Sequence, residues 1–237
     1  MTSDRGTMNR VVLGDVKPVD DPAARALVRD AHSRMYKWPA AFRGYRATVR
    51  VNDEGHVWTG SVSLVPRKDT TVELSGADPS LQEWVRERLW TQGMHLADAP
   101  FEEGDGKYIL SFAPDDDPAL SHPRGRKVLL TGGRLDSWYR IKDQRYQQIG
   151  RLAPMTERRI NTIERYDAAP DGRQYSSHYV MTYFTLDGQA VIGMESYVNE
   201  YADVQGVWLP LRRSVSFGER GLVKTRVIEL SNHEVRT

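Results

Sequence analysis

Between Tyr175 and Asn232, apolar and polar positions alternate through four successive runs, the period-two signature of half-buried strands. The first two runs are separated by Leu186-Asp187-Gly188-Gln189. Asp-Gly between β-rich runs predicts a two-residue type I′ turn, which needs φ > 0 at both central positions. That turn sets Phe184 opposite Val191, Tyr183 opposite Ile192 and Met181 opposite Met194. One face then carries Tyr179, Met181, Tyr183, Ile192, Met194 and Val198, while the other mixes Val180, Phe184 and Val191 with His178, Glu195 and Tyr197. Apolar content on both faces predicts a sheet wrapped around something, and curved sheets with tyrosine and methionine inside line many small-molecule cavities.

Upstream the period changes. Asp20-Asp21-Pro22 supplies an acidic cap and a proline, after which Leu27, Val28, Ala31, Met35 and Trp38 recur at helical spacing, predicting a helix from Pro22 to Lys37 that Pro39 stops. Tyr45, Ala47, Val49 and Val51 alternate with polar residues, and a four-residue loop Asn52–Gly55 puts His56, Trp58, Gly60, Val62 and Leu64 on the same face, with Trp58 inside. A third strand is expected over Thr70–Leu74. Asp78-Pro79-Ser80 opens a second helix with Leu81, Trp84, Val85, Arg88, Leu89 and Gln92 along one stripe and Gly93 loosening its end. Further strands are expected at Tyr108–Phe112, Lys127–Leu130, Leu135–Ile141, Tyr146–Leu152 and, less regularly, Thr156–Tyr166, with hairpin turns at Gly104-Asp105-Gly106 and Gly132-Gly133. Two helices and about eleven strands give an α+β fold, predominantly antiparallel β: a curved sheet or unclosed barrel with the helices covering its open side. We expect residues 1–19 to be a flexible lead and residues 20–237 to form one half-barrel domain.

Composition narrows the partners. With 33 basic and 32 acidic side chains the chain has no overall field to draw in a polyanion, so nucleic acid is not an expected partner. No cysteine is present, which removes disulfides, thiolate catalysis and cysteine-ligated metal. No segment approaches the ~20 apolar residues of a membrane span, and the first ten residues lack a signal-peptide core, so a cytoplasmic location is expected.

The six histidines are scattered, with no His-x-x-x-His or His-x-His pair, so no metal site and no cofactor is expected. No Gly-x-Ser-x-Gly elbow and no nucleotide fingerprint occurs. The best acid–base candidates come from the hairpin register, which sets His178 opposite Tyr197 with Glu195 one diagonal step away; a carboxylate there would orient the imidazole and raise its basicity. A solvated cross-strand pair is the other reading. Trp58, Tyr179, Met181, Tyr183 and Met194 offer flat, polarizable surface for an apolar ligand, although ordinary core packing uses the same residues. Arg212-Arg213 could meet an anionic head group, or simply be a solvated strand edge.

Gly206-Val-Trp-Leu-Pro-Leu-Arg-Arg213, Trp138-Tyr-Arg-Ile-Lys-Asp143, Leu230-Ser-Asn-His233, Met35-Tyr-Lys-Trp38 and Phe42-x-Gly44-Tyr45 together resemble a family of uncharacterised proteins best known from cyanobacteria and plastids. More distantly the chain is similar to the LolA/LppX-type lipoprotein carriers. The resemblance implies an unclosed β-barrel whose helices cover an apolar cavity, and hydrophobic-ligand binding more than catalysis. His95 aligns with a histidine of that family, but Leu96 stands where it has an arginine. The carriers are exported, and this chain shows no export signal.

Three readings follow: a binding module for a hydrophobic or amphipathic small molecule; a cofactor-independent enzyme of cyclase or isomerase type using the same cavity, with His178, Glu195 and His95 as candidates; and an assembly factor that binds protein through a sheet edge. The face of the Tyr175–Tyr201 hairpin that points inward discriminates the first two.

Overall fold

The computed structural model describes residues 18–117, 119, 121–133, 136–153 and 157–237. The expected lead over residues 1–19 lies outside them except for its last two residues, as do Leu135 and Thr156 at the starts of two expected strands. Two helices, α1 (Pro22–Ser33) and α2 (Pro79–Leu96), accompany twelve strands: β1 (Gly44–Asp53), β2 (His56–Val65), β3 (Asp69–Leu74), β4 (Ile109–Phe112), β5 (Arg126–Thr131), β6 (Asp136–Lys142), β7 (Arg145–Ala153), β8 (Glu157–Ala168), β9 (Gln174–Phe184), β10 (Val191–Val204), β11 (Val207–Glu219) and β12 (Leu222–Arg236). They form one antiparallel sheet in the order β3-β2-β1-β12-β11-β10-β9-β8-β7-β6-β5-β4. The sheet does not close, since β3 and β4 are its two edges. The α+β expectation holds, and the described part of the segment expected over Thr156–Tyr166 is strand, from Glu157 onward, its Asn161 opposite Ile149. Gly104-Asp105-Gly106 is not a hairpin turn: the chain there makes two short 3-10 turns, Phe101–Glu103 and Asp105–Lys107.

The chain divides into two compact units. The first takes its described residues from 18–31, 105–162 and 181–194. Asp21 caps α1, its Oδ1 accepting from the amides of Ala23 (2.8 Å) and Ala24 (3.2 Å), and the helix buries Ala24, Val28 and Ala31. Leu110, Val128, Leu130, Tyr139, Ile141 and Tyr146 are buried apolar strand residues of this unit. The Tyr139 hydroxyl donates to Asp105 Oδ1 (2.9 Å) and accepts from Arg151 Nη2 (2.9 Å), which satisfies a buried phenol.

The second unit comprises residues 32–104, 163–180 and 195–237. The helix expected to run to Lys37 stops at Ser33, because the next residues pair along β9: Gln174 N donates to Arg34 O and Tyr36 N to Gln174 O, both at 2.7 Å. β1 alternates buried and exposed as its pattern predicts. The turn into β2 has two residues, Glu54-Gly55, instead of four, so Val51 faces Trp58 and Tyr45 faces Leu64. This slip of two residues leaves the predicted face unchanged. Asp78 caps α2, accepting from Leu81 N at 2.9 Å, and Leu81, Val85, Leu89 and Leu96 are buried in one core cluster with Val49, Val51, Val62, Leu64, Ile228 and Leu230. Gly93 lies within the helix, three residues before its end. A Cβ there would come within 2.9 Å of Leu64 Cδ1, so the residue permits close seating on β2.

Four of the five motifs that carry the family resemblance fall in this unit, Trp138–Asp143 lying in the first, and several of their residues meet at one place. Tyr36 OH accepts from Trp208 N (3.0 Å), Trp38 Nε1 donates to Trp208 O (3.1 Å), Trp38 packs on Phe42 with ring centres 4.7 Å apart, and Tyr45 packs on His233 at 5.5 Å. His233 Nε2 lies 3.0 Å from Pro210 O, and burial holds its pKa below the ordinary histidine value. These residues clasp β1, β11 and β12 to the segment after α1, a structural role.

Candidate binding site beneath the second helix

The register between β9 and β10 decides which side chains point at α2. Asp187 does not take the positive φ of a type I′ turn; its Oδ1 accepts from Thr185 Oγ1 and from Gln189 N (2.9 Å), and Gly188 alone is left-handed, at φ 72°. Gly188 N donates to Thr185 O (2.8 Å) and Thr185 N to Ala190 O (2.9 Å). Further along, Tyr179 stacks on Tyr197 with ring centres 4.6 Å apart, and Tyr175 packs on Tyr201 at 4.4 Å. Odd-numbered residues of both strands therefore share a face, one residue out of step with a two-residue turn. A slip of one residue exchanges the faces of a strand.

The inward face of β10 is thus Glu195, Tyr197, Asn199 and Tyr201, not Ile192, Met194 and Val198. Tyr197 is 3% exposed and Asn199 is buried, whereas Ile192 is 67% and Met194 54% exposed. Opposite this face α2 presents Trp84, Arg88 and Gln92, one turn apart. The Trp84 ring packs on Phe217 at 6.2 Å, Arg88 Nη2 donates to Glu195 Oε1 (2.7 Å), and Gln92 Nε2 donates to Tyr201 OH (2.7 Å). Glu195 Oε2 also accepts from Tyr197 OH.

At the centre is Arg213 of β11, paired with Asn199 in the ladder. It is 4% exposed. Its Nε donates to Asn199 Oδ1 (2.7 Å), Nη1 to the main-chain oxygen of Arg88 and Nη2 to Tyr179 OH (2.9 Å), while its carbon lies 5.2 Å over the Tyr197 ring. Burial pushes the Tyr201 hydroxyl up to about 12 and those of Tyr45, Tyr179 and Tyr197 upward as well, so all four remain protonated donors at neutral pH. Among the described residues, the buried polar atoms of this region without a hydrogen-bond partner include Tyr45 OH and Gln92 Oε1.

The sequence-derived candidates scatter. Tyr179 and Glu195 are in the network. His178 points to the other face, its Nε2 3.2 Å from Ser196 Oγ, so the structure does not bring it to Glu195. His95 is exposed in the last turn of α2, where its main-chain oxygen accepts from Lys37 Nζ at 2.6 Å. Trp58 is half-buried against the core of the second unit. Met181 and Tyr183 lie in the first unit, the Tyr183 hydroxyl 2.9 Å from Met181 Sδ, and Met194 stands on the exposed face. Of the Arg212-Arg213 pair, Arg213 is buried and is not a solvated strand edge; Tyr197 is a network residue that the sequence did not single out, though an arginine and a glutamine at i and i+4 within the apolar stripe of α2 already signalled a polar seat. Among the described residues no group of three histidine or acidic side chains is placed to hold a metal ion, and no helix is long and apolar enough to cross a membrane. A groove of about 530 Å³ opens on the other face of the second unit, lined largely by Arg46, Thr48, Ser61, Ser63, Thr71 and Glu73. Its hydroxyls and charges suit polar groups, not the apolar ligand expected from the sequence.

Fold and site together define a helix-covered, open antiparallel sheet with a buried arginine–tyrosine network. Residues 19–235 match the family described as Protein of unknown function (DUF3386), and the chain belongs to it. No curated protein matches the chain. Among solved structures it is similar to a domain named for outer membrane lipoprotein sorting from Vibrio parahaemolyticus, at 11% identity and a TM-score of 0.37, over 91% of this chain and 93% of that one. It is also similar to a DUF1329 family protein from Desulfovibrio piger ATCC 29098, at 10% identity and a TM-score of 0.27, over 94% and 95% of the two chains.

Proposed function

We propose that the protein binds a hydrophobic or amphipathic small molecule on the inner sheet face of the second unit, with α2 as its cover. The observation that carries this reading is the unequal seating of α2. On one side Leu81, Val85, Leu89 and Leu96 meet an apolar floor; on the other, Trp84 packs on Phe217, Arg88 pairs with Glu195 and Gln92 bonds Tyr201, leaving Gln92 Oε1 buried without a partner. A helix present only for packing is dry on all its seats, whereas an apolar surface with a few placed polar groups suits a ligand. Trp90 and Met94 are exposed on the outer side of the same helix, among the charged residues Glu83, Arg86 and Glu87. The enzyme alternative has lost its acid–base pair at the hairpin, because His178 and Glu195 occupy opposite faces.

Native mass spectrometry of the protein purified from its own host, followed by denaturing extraction, tests the reading. A stoichiometric apolar adduct is expected. A clean apo mass, together with no thermal shift on adding long-chain lipids, overturns it.

A further inference from the structure

We infer that the ligand held beneath α2 carries an anionic head group, a carboxylate or a phosphate monoester, and that Arg213, Tyr45 and Gln92 receive it. The inference rests on the binding reading above and names the chemistry of the molecule bound.

A buried cation is costly unless a counter-charge or a full set of hydrogen bonds compensates it. Arg213 has neither in full. Its partners are an amide oxygen, a main-chain oxygen, a phenol and an aromatic face, and among the described residues no carboxylate lies within ion-pair distance of it. The nearby carboxylate, Glu195, is engaged by Arg88 and by the Tyr197 hydroxyl. Three of the five guanidinium N–H groups of Arg213 are used, which leaves two to donate.

The unpartnered atoms complete the set. Tyr45 OH is fully buried without a partner, within electrostatic reach of the Arg213 cation, and desolvation keeps it protonated. Gln92 is 4% exposed and bonded only through its amide nitrogen to Tyr201 OH. If the amide turns over, Oε1 accepts from Tyr201 and Nε2 becomes a donor to the ligand. Guanidinium, phenol and amide then form a set of donors alone, which suits an anion.

The experiment titrates the full chain with three probes of one tail length: oleate, oleyl phosphate and oleyl alcohol. Oleate or oleyl phosphate is expected to bind about ten-fold or more tightly than the alcohol, the worth of a charge-assisted hydrogen bond. The tighter of the two assigns the head group. Arg213→Met is expected to reduce the anion to the alcohol's affinity while leaving the alcohol within about three-fold, and Tyr45→Phe to weaken the anion about three- to ten-fold. Should Arg213→Met fail to fold, Tyr45→Phe decides, since it removes one unpartnered oxygen and keeps the ring. Equal binding of all three probes leaves the binding reading standing and overturns the anionic head. An anion preference unchanged in Tyr45→Phe, and in Arg213→Met where it folds, overturns this site, and binding of none of the three overturns both readings.

Discussion

Two single residues report how tightly the second unit is built. Gly93→Ala gains about 1 kcal/mol of helix propensity, yet its new methyl would meet Leu64 Cδ1 at 2.9 Å. Overpacking of this kind costs about 1–3 kcal/mol, so we expect a net loss of about 1 kcal/mol in urea unfolding. Leu64→Ala removes the opposing methyls, and the double variant should lose less than the sum of the two single losses. His233 sets a pH dependence. Its folded pKa lies below 6.5 because of burial, while that of the unfolded chain stays near 6.5. As pH falls below about 6.5 the unfolded chain binds the proton first, so the stability present above that value is lost progressively down to the folded pKa. Denaturation curves at pH 7.5 and 5.5 should show a larger loss for the wild type than for His233→Gln; equal losses would place the imidazole in solvent.

At the scale of elements the two hairpins teach opposite lessons. Both turns differ from the sequence expectation, but only one difference changes the picture. The slip between β1 and β2 is two residues, an even number, so Trp58 keeps the face of Val51 and the strand pattern remains legible. The slip between β9 and β10 is one residue, and it exchanges Met194 for Tyr197 on the inner face. Asp187-Gly188 marks the turn, and Thr185 N to Ala190 O keeps the register expected beside it; the one-residue slip enters further along, between that pair and the Tyr179–Tyr197 stack. Alternation on β10 could not arbitrate, since apolar residues occur at both parities. The faces can be checked directly. Ile192→Ser should change stability by no more than about 0.5 kcal/mol, whereas Tyr197→Ala should cost about 3 kcal/mol or more through the lost ring stack with Tyr179. The reverse order would restore the register expected from the two-residue turn.

For the molecule as a whole, fold class was open to reading because strand and helix periods are local, and twelve strands with two helices leave few layer arrangements. The site was less open, since Arg88 of α2, Glu195 of β10 and Arg213 of β11 meet only through tertiary packing of α2 on the sheet. Binding that favours the folded chain stabilises it by mass action: an amphiphile at 100 times its Kd should add about 2.7 kcal/mol to unfolding in denaturant. No change at saturation would mean that the amphiphile binds unfolded chain equally well.

The strand order carries a consequence for assembly in time. Gly44 of β1 pairs with Arg236 of β12, so partners 192 positions apart in the chain must meet before β1 gains its second neighbour. Hairpins such as β1–β2 can close early, but during synthesis β1 waits as an open edge, its alternate Val49 and Val51 unprotected, until β12 has been made. Contacts of such long range slow folding and lengthen the interval in which an edge can pair with the wrong chain. Refolding is therefore expected to end in a slow phase reported by Tyr45 and His233, and a chain cut after Gly221 to accumulate as aggregate while the full chain folds.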